Sequence, residues 1–559
     1  MDAKFNKYKE AFVLELWKVY PGWASSVGYH KYDNVLIVPN EASRKNEVAF
    51  CNKQLAELHK FQLTGLADLN KIDYHLIENQ LKYAVWGVNE LMAWQWDPTS
   101  YNVCGGFADM LGNTYAPLDT RLKSFKARMA NVPAFYAAAK LNIKNPTREH
   151  TKLAIEQNLG GISVFEKDLD AALAESKLPA AEKQAIKATA AKCVTAIQGF
   201  AEYLKMLNNP TPRSFRLGKS LYDQKFDFEI QAGSTADNIF SKATNHKKML
   251  HEHMFALTKQ LWVRYFGSRE MPADNLKAIK MMIDTISVKH VNASEFQQQI
   301  EQQIPFLTEF IKHKNLIYID PSKPLVVRRE PEYMAGVAGA SINAPGPYDK
   351  NGNTYYNVGS LDGWDAEKAE SYLREYNHYI LQILNIHEAI PGHYTQLVYA
   401  NQSPSIIKSI LGNNAMIEGW AVYTERMMLE NGYDGDRGLD SKDASQEMWL
   451  MYDKWNLRST CNFILDFNVH AREMSKEQAM NLLMNEAFQE KAEAEGKWRR
   501  VSVSQVQLAC YFTGFNEIYE LRTDMERKQR KAYDLKKFHE QFLGYGSAPI
   551  KYIREMMMK

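Results

Sequence analysis

Apolar residues recur three and four positions apart over most of the chain, the spacing of a helix with one buried face. The pattern starts at once with Phe5, Tyr8, Phe12 and Leu16 and continues to about residue 205. Within it, Lys45 to Leu66 and Asp73 to Trp96 read as amphipathic helices. Leu178-Pro179 separates two Ala-rich runs, which predicts a helical hairpin over 162–206. Gly105-Gly106 reads as a turn, and Asn208-Asn209-Pro210-Thr211-Pro212-Arg213, just before Phe215-Arg216-Leu217-Gly218, is the clearest loop. Helices resume from about 234 to 313. The pattern then changes: Leu316–Ile319, Leu325–Arg328 and Thr354–Val358 read as short strands, with small and turn-forming residues from Gly336 to Pro347 between them. Such a sheet either lines a cleft or caps the core as an ordinary hairpin. Helical spacing returns at Ile380, Ile383, Leu384 and His387, and further long helices are predicted over Met448–His470 and about 502–530.

His387 thus leaves a buried seam, and it opens the segment His387-Glu388-Ala389-Ile390-Pro391-Gly392-His393. His-Glu begins the zincin motif, in which a second His one turn on completes a metal-facing pair and the Glu works on the attacking water. Here the second His is six residues on. On an unbroken helix that is about 600° of rotation, which points His393 away from His387. Pro391 and Gly392 either bulge the turn and bring His393 back, or end the helix and leave both imidazoles in core hydrogen bonds. Glu418 and Glu425 follow in Glu418-Gly419-Trp420-Ala421-Val422-Tyr423-Thr424-Glu425. Seven residues apart, about 700° of rotation, they share one helical face. Among apolar neighbours they need a partner, either a metal or a cation such as Arg426 or Arg458.

His-Glu-x-x-Pro-Gly-His followed by Glu-Gly-Trp-Ala-x-Tyr-x-Glu resembles the large, mostly bacterial family known as domain of unknown function 885. The resemblance runs nearly the whole chain, from Tyr20-Pro21-Gly22-Trp23-Ala24 and Gly28, through Phe215-Arg216-Leu217-Gly218, to Gln507, Tyr511 and Gly514. It implies a mainly α, two-lobed fold of the helical zincin type, like neurolysin and angiotensin-converting enzyme, with a small β-sheet near the active-site cleft. As one domain over 1–559, this would have an N-terminal helical lobe to about 315 and a catalytic lobe with the sheet from about 316. It implies Zn²⁺ held by His387, His393 and Glu418, with Glu388 as the catalytic carboxylate. Tyr394 stands where many members have a second consecutive His, a position behind the ligands.

Two further residues join the candidate catalytic set. Arg458, Asn462, Asp466 and His470 form a polar row four residues apart on an otherwise apolar helix, either a buried network or a site wall. Asp466-x-x-x-His470 resembles a recurrent element of the family, which favours His470 at the site. Tyr511 is the candidate oxyanion donor, against the reading of a core Tyr with a satisfied hydroxyl. Arg458, Arg522 or His470 would bind a substrate carboxylate. His251-Glu252-His253 is a decoy, since residues two apart on a helix lie about 200° apart, and it reads as a solvated face.

Composition narrows the function classes. The 559 residues are 45% hydrophobic and 24% charged, ordinary globular values with material for a large core. Against 66 acidic residues, 68 basic ones leave +2 without a basic block, which argues against nucleic acid as the main partner. No stretch approaches the ~18 apolar residues that cross a membrane. Cys51, Cys104, Cys193, Cys461 and Cys510 are odd in number and far apart, so they read as free core thiols. Met1-Asp2-Ala3-Lys4 carries no secretory leader; the protein is cytoplasmic, or it is periplasmic or otherwise exported and a leader has been replaced by Met1. The expected activity is zinc-dependent hydrolysis of short peptides. The rivals are a zinc amidohydrolase acting on a non-peptide or cell-wall amide, and a helical binding protein with a structural metal.

Overall fold

The computed structural model describes residues 1–207, 209–323, 325–330, 340–349, 353–403 and 405–559. The chain is mainly α with one small three-stranded sheet. It divides into two compact units, Met1–Phe215 with Pro345–Asn351, and Arg216–Ala344 with Gly352–Lys559. The boundary expected near 315 therefore falls at the predicted Pro-rich loop instead. The reason lies in the helices Ala236–Phe266 and Phe296–Lys314, which belong to the second core. From the first of these, His246 and His253 each meet helix Gln446–Ala471 at 2.7 Å, on Asn456 and Asp453. From the second, Gln303 takes a 2.6 Å hydrogen bond from Asn385.

In the first unit, Ile186, Ala190, Cys193, Ile197, Phe200 and Leu204 line one face of helix Ala180–Met206 and are buried against Phe107, Phe125, Tyr136 and Phe165. The hairpin predicted over 162–206 is present as Lys167–Glu175 and Ala180–Met206. Asp73–Trp96 is less regular than its periodicity: helix Asp68–Trp86 passes into a π turn, Gly87–Leu91, and then a left-handed Met92. Gly105-Gly106 is the first turn of helix Cys104–Gly112 rather than a loop. Residues 345–349 return to this unit, where Tyr348 accepts a hydrogen bond from Trp17 Nε1 at 3.0 Å.

In the second unit, helix Gln446–Ala471 is buried on almost every face, so its polar side chains all need partners. The sheet has the order β1-β3-β2, with β1 (Leu325–Arg329) parallel and β2 (Ala340–Asn343) antiparallel to β3 (Thr354–Val358). Of the three strands expected, two are present as β1 and β3, but Leu316–Ile319 is not a strand. Its backbone groups are taken by side chains instead: Leu316 carbonyl by His539 Nδ1 (2.8 Å), and Tyr318 N–H by Glu540 (3.2 Å). The third strand is β2, inside the run read as turn-forming; residues 336–339 of that run lie outside the described residues. The helix predicted over 502–530 begins only at Ala509, after helix Lys491–Val503.

His251-Glu252-His253 is only partly solvated, because His251 Nε2 lies 2.7 Å from the Glu486 carbonyl and His253 on Asp453. All five cysteines are buried free thiols. Among the described residues no helix is long and apolar enough to cross a membrane.

Candidate metal centre

Helix His378–Glu388 starts under an Asn377 cap, whose Oδ1 accepts the Tyr379 and Ile380 N–H groups, and it buries the Ile380, Ile383, Leu384 and His387 seam. It ends at Glu388. The Asn385 carbonyl takes the N–H groups of Ala389 and Ile390, and the Ile386 carbonyl takes that of Gly392 at 2.9 Å. Any side chain at Gly392 would overlap the Ile386 and His387 carbonyls, so only Gly closes this turn. The Ile390–Pro391 peptide is cis. Trp420 Nε1 donates to the Pro391 carbonyl at 2.9 Å, tying the turn to helix Asn414–Glu430. A new helix, His393–Asn401, then begins on the second His. The two imidazoles end with ring centroids 4.7 Å apart and planes at 89°. The helix does stop at Pro-Gly, yet the two rings meet.

Glu418 faces both rings. Its Oε2 lies 3.4 Å from His393 Nε2 and 3.8 Å from His387 Nε2. On the other side of His387, Glu425 Oε1 stands 2.7 Å from Nδ1 and also accepts Trp455 Nε1 at 3.1 Å. Nδ1 thereby donates to Glu425, and Nε2 faces Glu418 and His393, the atom that would carry the lone pair in the neutral ring. A donor atom of Glu388 lies within 4.8 Å of one on each His. Three carboxylates thus crowd two imidazoles in a largely buried space. Burial pushes Glu388 and Glu425 above the usual carboxylate range. Burial also acts on His387 and Glu418, but the opposite charges facing them prevail: Glu418 and Glu425 raise His387 to about 10, and His387 and His393 hold Glu418 well below its usual range. This surplus of negative charge fits a divalent cation, and two nitrogens with one carboxylate oxygen are a donor set suited to zinc with an open position.

Helices Asn414–Glu430 and Ala509–Gln529 cross at Gly419 and Gly514, each of which would lose its place to the other's backbone if it carried a Cβ. That crossing sets Glu418 near Tyr511. Burial, then the Glu418 charge, pushes the Tyr511 hydroxyl up to about 12, and Arg500 donates to it at 3.3 Å.

His470 is not part of this cluster. Its Nε2 donates to the carbonyls of Val501 (2.8 Å) and Ser504 (3.1 Å), while Asp466 accepts the Val506 and Leu508 N–H groups. Together they pin the break between two helices, so the lower half of the polar row is a structural network. Burial holds His470 down at about 4. Tyr394 also turns away, donating to the Lys323 carbonyl. Neither expected cation pairs with Glu425: Arg426 binds Glu430, and Arg458 binds Glu493 at 2.6 Å while stacking over Trp455. Arg522 is likewise taken, by Glu430 at 2.7 Å. The sequence reading missed Glu425 as the anchor of His387, although its place on the Glu418 face was the signal.

The chain matches no curated protein. Among solved structures it is similar to a candidate lipoprotein of unknown function from Shewanella oneidensis, with 52% identity and a TM-score of 0.90, covering 99% of this chain and 100% of that one. A candidate lipoprotein from Colwellia psychrerythraea shares the fold at 15% identity, with a TM-score of 0.79 over 99% of this chain and 98% of that one. Residues 21–557, which include every residue of the candidate metal centre, match one family model, and the chain belongs to that family, described as bacterial protein of unknown function (DUF885).

Proposed function

We propose that this protein is a zinc-dependent hydrolase that cleaves amide bonds of short peptides. One observation carries the reading: the Nε2 atoms of His387 and His393 converge on Glu418 Oε2, with the Glu388 carboxylate in reach of both rings. Zinc in that position would supply Lewis acidity, polarising the scissile carbonyl and acidifying water.

The chain's own groups do the rest. Glu425 holds His387 with its proton on Nδ1, so Nε2 stays available as a ligand. Glu388 takes a proton from the attacking water and hands it to the leaving amine, and burial raises its basicity toward that task. The Tyr511 hydroxyl, kept protonated by burial, donates to the oxyanion, a contribution of about 3 kcal/mol for one good donor. A two-lobed helical zincin architecture belongs to the same reading. Export is the matching location, supported by the likeness to candidate lipoproteins.

The test is elemental analysis beside a peptide-cleavage assay. The parent is expected to carry one zinc per chain, lost in His393→Ala and Glu418→Ala. Glu388→Gln is expected to keep the metal and lose about 10²–10⁴ of its turnover. A parent that stays metal-free when supplied with zinc, or a Glu388→Gln variant as active as the parent, would overturn the proposal.

A further inference from the structure

The first unit contains a cavity of 660 Å³, walled by Trp23, Leu36, Trp94, Tyr101 and Phe135 and reached by two guanidinium groups, Arg44 and Arg128. Arg128 is only 7% exposed. Among the described residues its hydrogen-bond acceptor is the Met110 thioether, 3.8 Å from Nη1, and its Nε has no partner. The guanidinium lies over two glycines: a Cβ at Gly22 would stand 3.6 Å from Nη2, and one at Gly106 would stand 3.1 Å away. Gly22 is the centre of the Tyr20–Ala24 motif, which the metal centre leaves unexplained.

The nearby carboxylates are engaged elsewhere. Asp33 accepts from Ser25 at 2.6 Å and meets His30 Nδ1 at 3.0 Å. Glu47, which lines the cavity, accepts from the Tyr20 hydroxyl at 2.7 Å, and Asp109, like Asp33, acts on Arg128 through its charge without forming an ion pair. Arg44 lies 3.8 Å over the Trp94 ring and donates only to neutral oxygens, of Asn142 (3.1 Å) and Pro39 (3.3 Å). Among the described residues no carboxylate comes within ion-pair distance of Arg128.

A guanidinium is charged at every physiological pH, and burying it without an anion is costly. The Phe107 ring, 5.5 Å from Arg128, returns only part of that cost. A cation left unpaired beside an aromatic-walled space of ordinary ligand size calls for an anion from outside. We propose that this cavity binds a small organic carboxylate with an aromatic or branched apolar body. The carboxylate sits on Arg128 with Arg44 as the second donor, and the body packs between Trp23, Trp94 and Phe135. The flat Arg fork suits a carboxylate, and Glu47 among the lining residues disfavours the second negative charge of a phosphate. The site is independent of the metal reading.

Calorimetric titration of the full-length chain, treated with a chelator, tests this with N-acetyl-phenylalanine against its neutral amide. Saturable binding of the acid is expected, at least about tenfold tighter than the amide, as a charge-assisted hydrogen bond supplies. Arg128→Met and Arg44→Gln are each expected to weaken it about tenfold, while His393→Ala leaves it unchanged. Equal affinity for acid and amide, or no binding of the acid, overturns the proposal. So does binding lost in His393→Ala but kept in Arg128→Met, which would place the acid at the metal centre. Arg44 is partly exposed, so Arg44→Gln keeps the fold; undiminished binding in it would overturn the proposal even if Arg128→Met does not fold.

Discussion

His387 Nδ1 and Glu425 Oε1 stand 2.7 Å apart, with Glu425 fully buried and braced by the Trp455 indole. A carboxylate in that place orients the ring, fixes its tautomer and makes Nε2 a better donor. Glu425→Gln keeps the shape but removes the charge. Its metal affinity is expected to fall about 10–100-fold, read by competition with a chromophoric chelator. An unchanged affinity would reduce Glu425 to a packing residue.

Tyr511→Phe separates the hydroxyl from the ring. With the aromatic packing kept, kcat is expected to fall about 10²–10³-fold while metal content holds and KM moves little. A loss confined to KM would assign Tyr511 to substrate binding instead.

The Gly419–Gly514 crossing predicts a stability effect. A methyl at Gly514 would collide with the Ala415 carbonyl and with Gly419, both backbone and neither free to move alone. Gly514→Ala is expected to destabilise the chain by about 1–3 kcal/mol, as overpacking does, even though Ala is the better helix former. Thermal unfolding measures it. A variant as stable as the parent would mean the helices separate without cost.

Acid sensitivity follows from His539. Its Nδ1 donates to the Leu316 carbonyl and its Nε2 accepts from Tyr423, both at 2.8 Å, and burial pushes it down to about 3. An unfolded chain binds a proton there below about 6.5, while the folded chain does not until about 3. Between those values the unfolded state holds more protons, so stability falls as the pH drops. His470, held at about 4, adds to the same slope. Denaturant titrations between pH 7 and 5 are expected to show a shallower slope for His539→Gln than for the parent. Equal slopes would mean His539 is protonated in the fold.

Much of this was legible in the residues. Helical periodicity located the long helices and the hairpin over 162–206, because burial of one face is a local property of spacing. Donor types were legible too: His387, Glu388, His393 and Glu418 could be named as a set, and the family match covers them. The six-residue spacing, however, left the geometry open. It was settled by the Gly392 N–H reaching the Ile386 carbonyl and by Trp420 holding Pro391 from another helix.

Roles that depend on which helices touch were not readable. His470 and Tyr511 were both candidates on the same kind of signal, a polar residue within an apolar pattern. Packing sent His470 to the carbonyls of Val501 and Ser504 and set Tyr511 beside Glu418. Leu316–Ile319 has strand propensity but lost its backbone groups to His539 and Glu540, more than two hundred residues away in sequence. The sequence by itself determined the helical class, the residue types that meet in the His387–Glu418 cluster and the position of the break at Pro391-Gly392, since each depends on residue type and near neighbours. Tertiary structure alone decided which carboxylate anchors His387, where the chain divides and which polar residues reach the centre, since those depend on contacts between segments far apart along the chain.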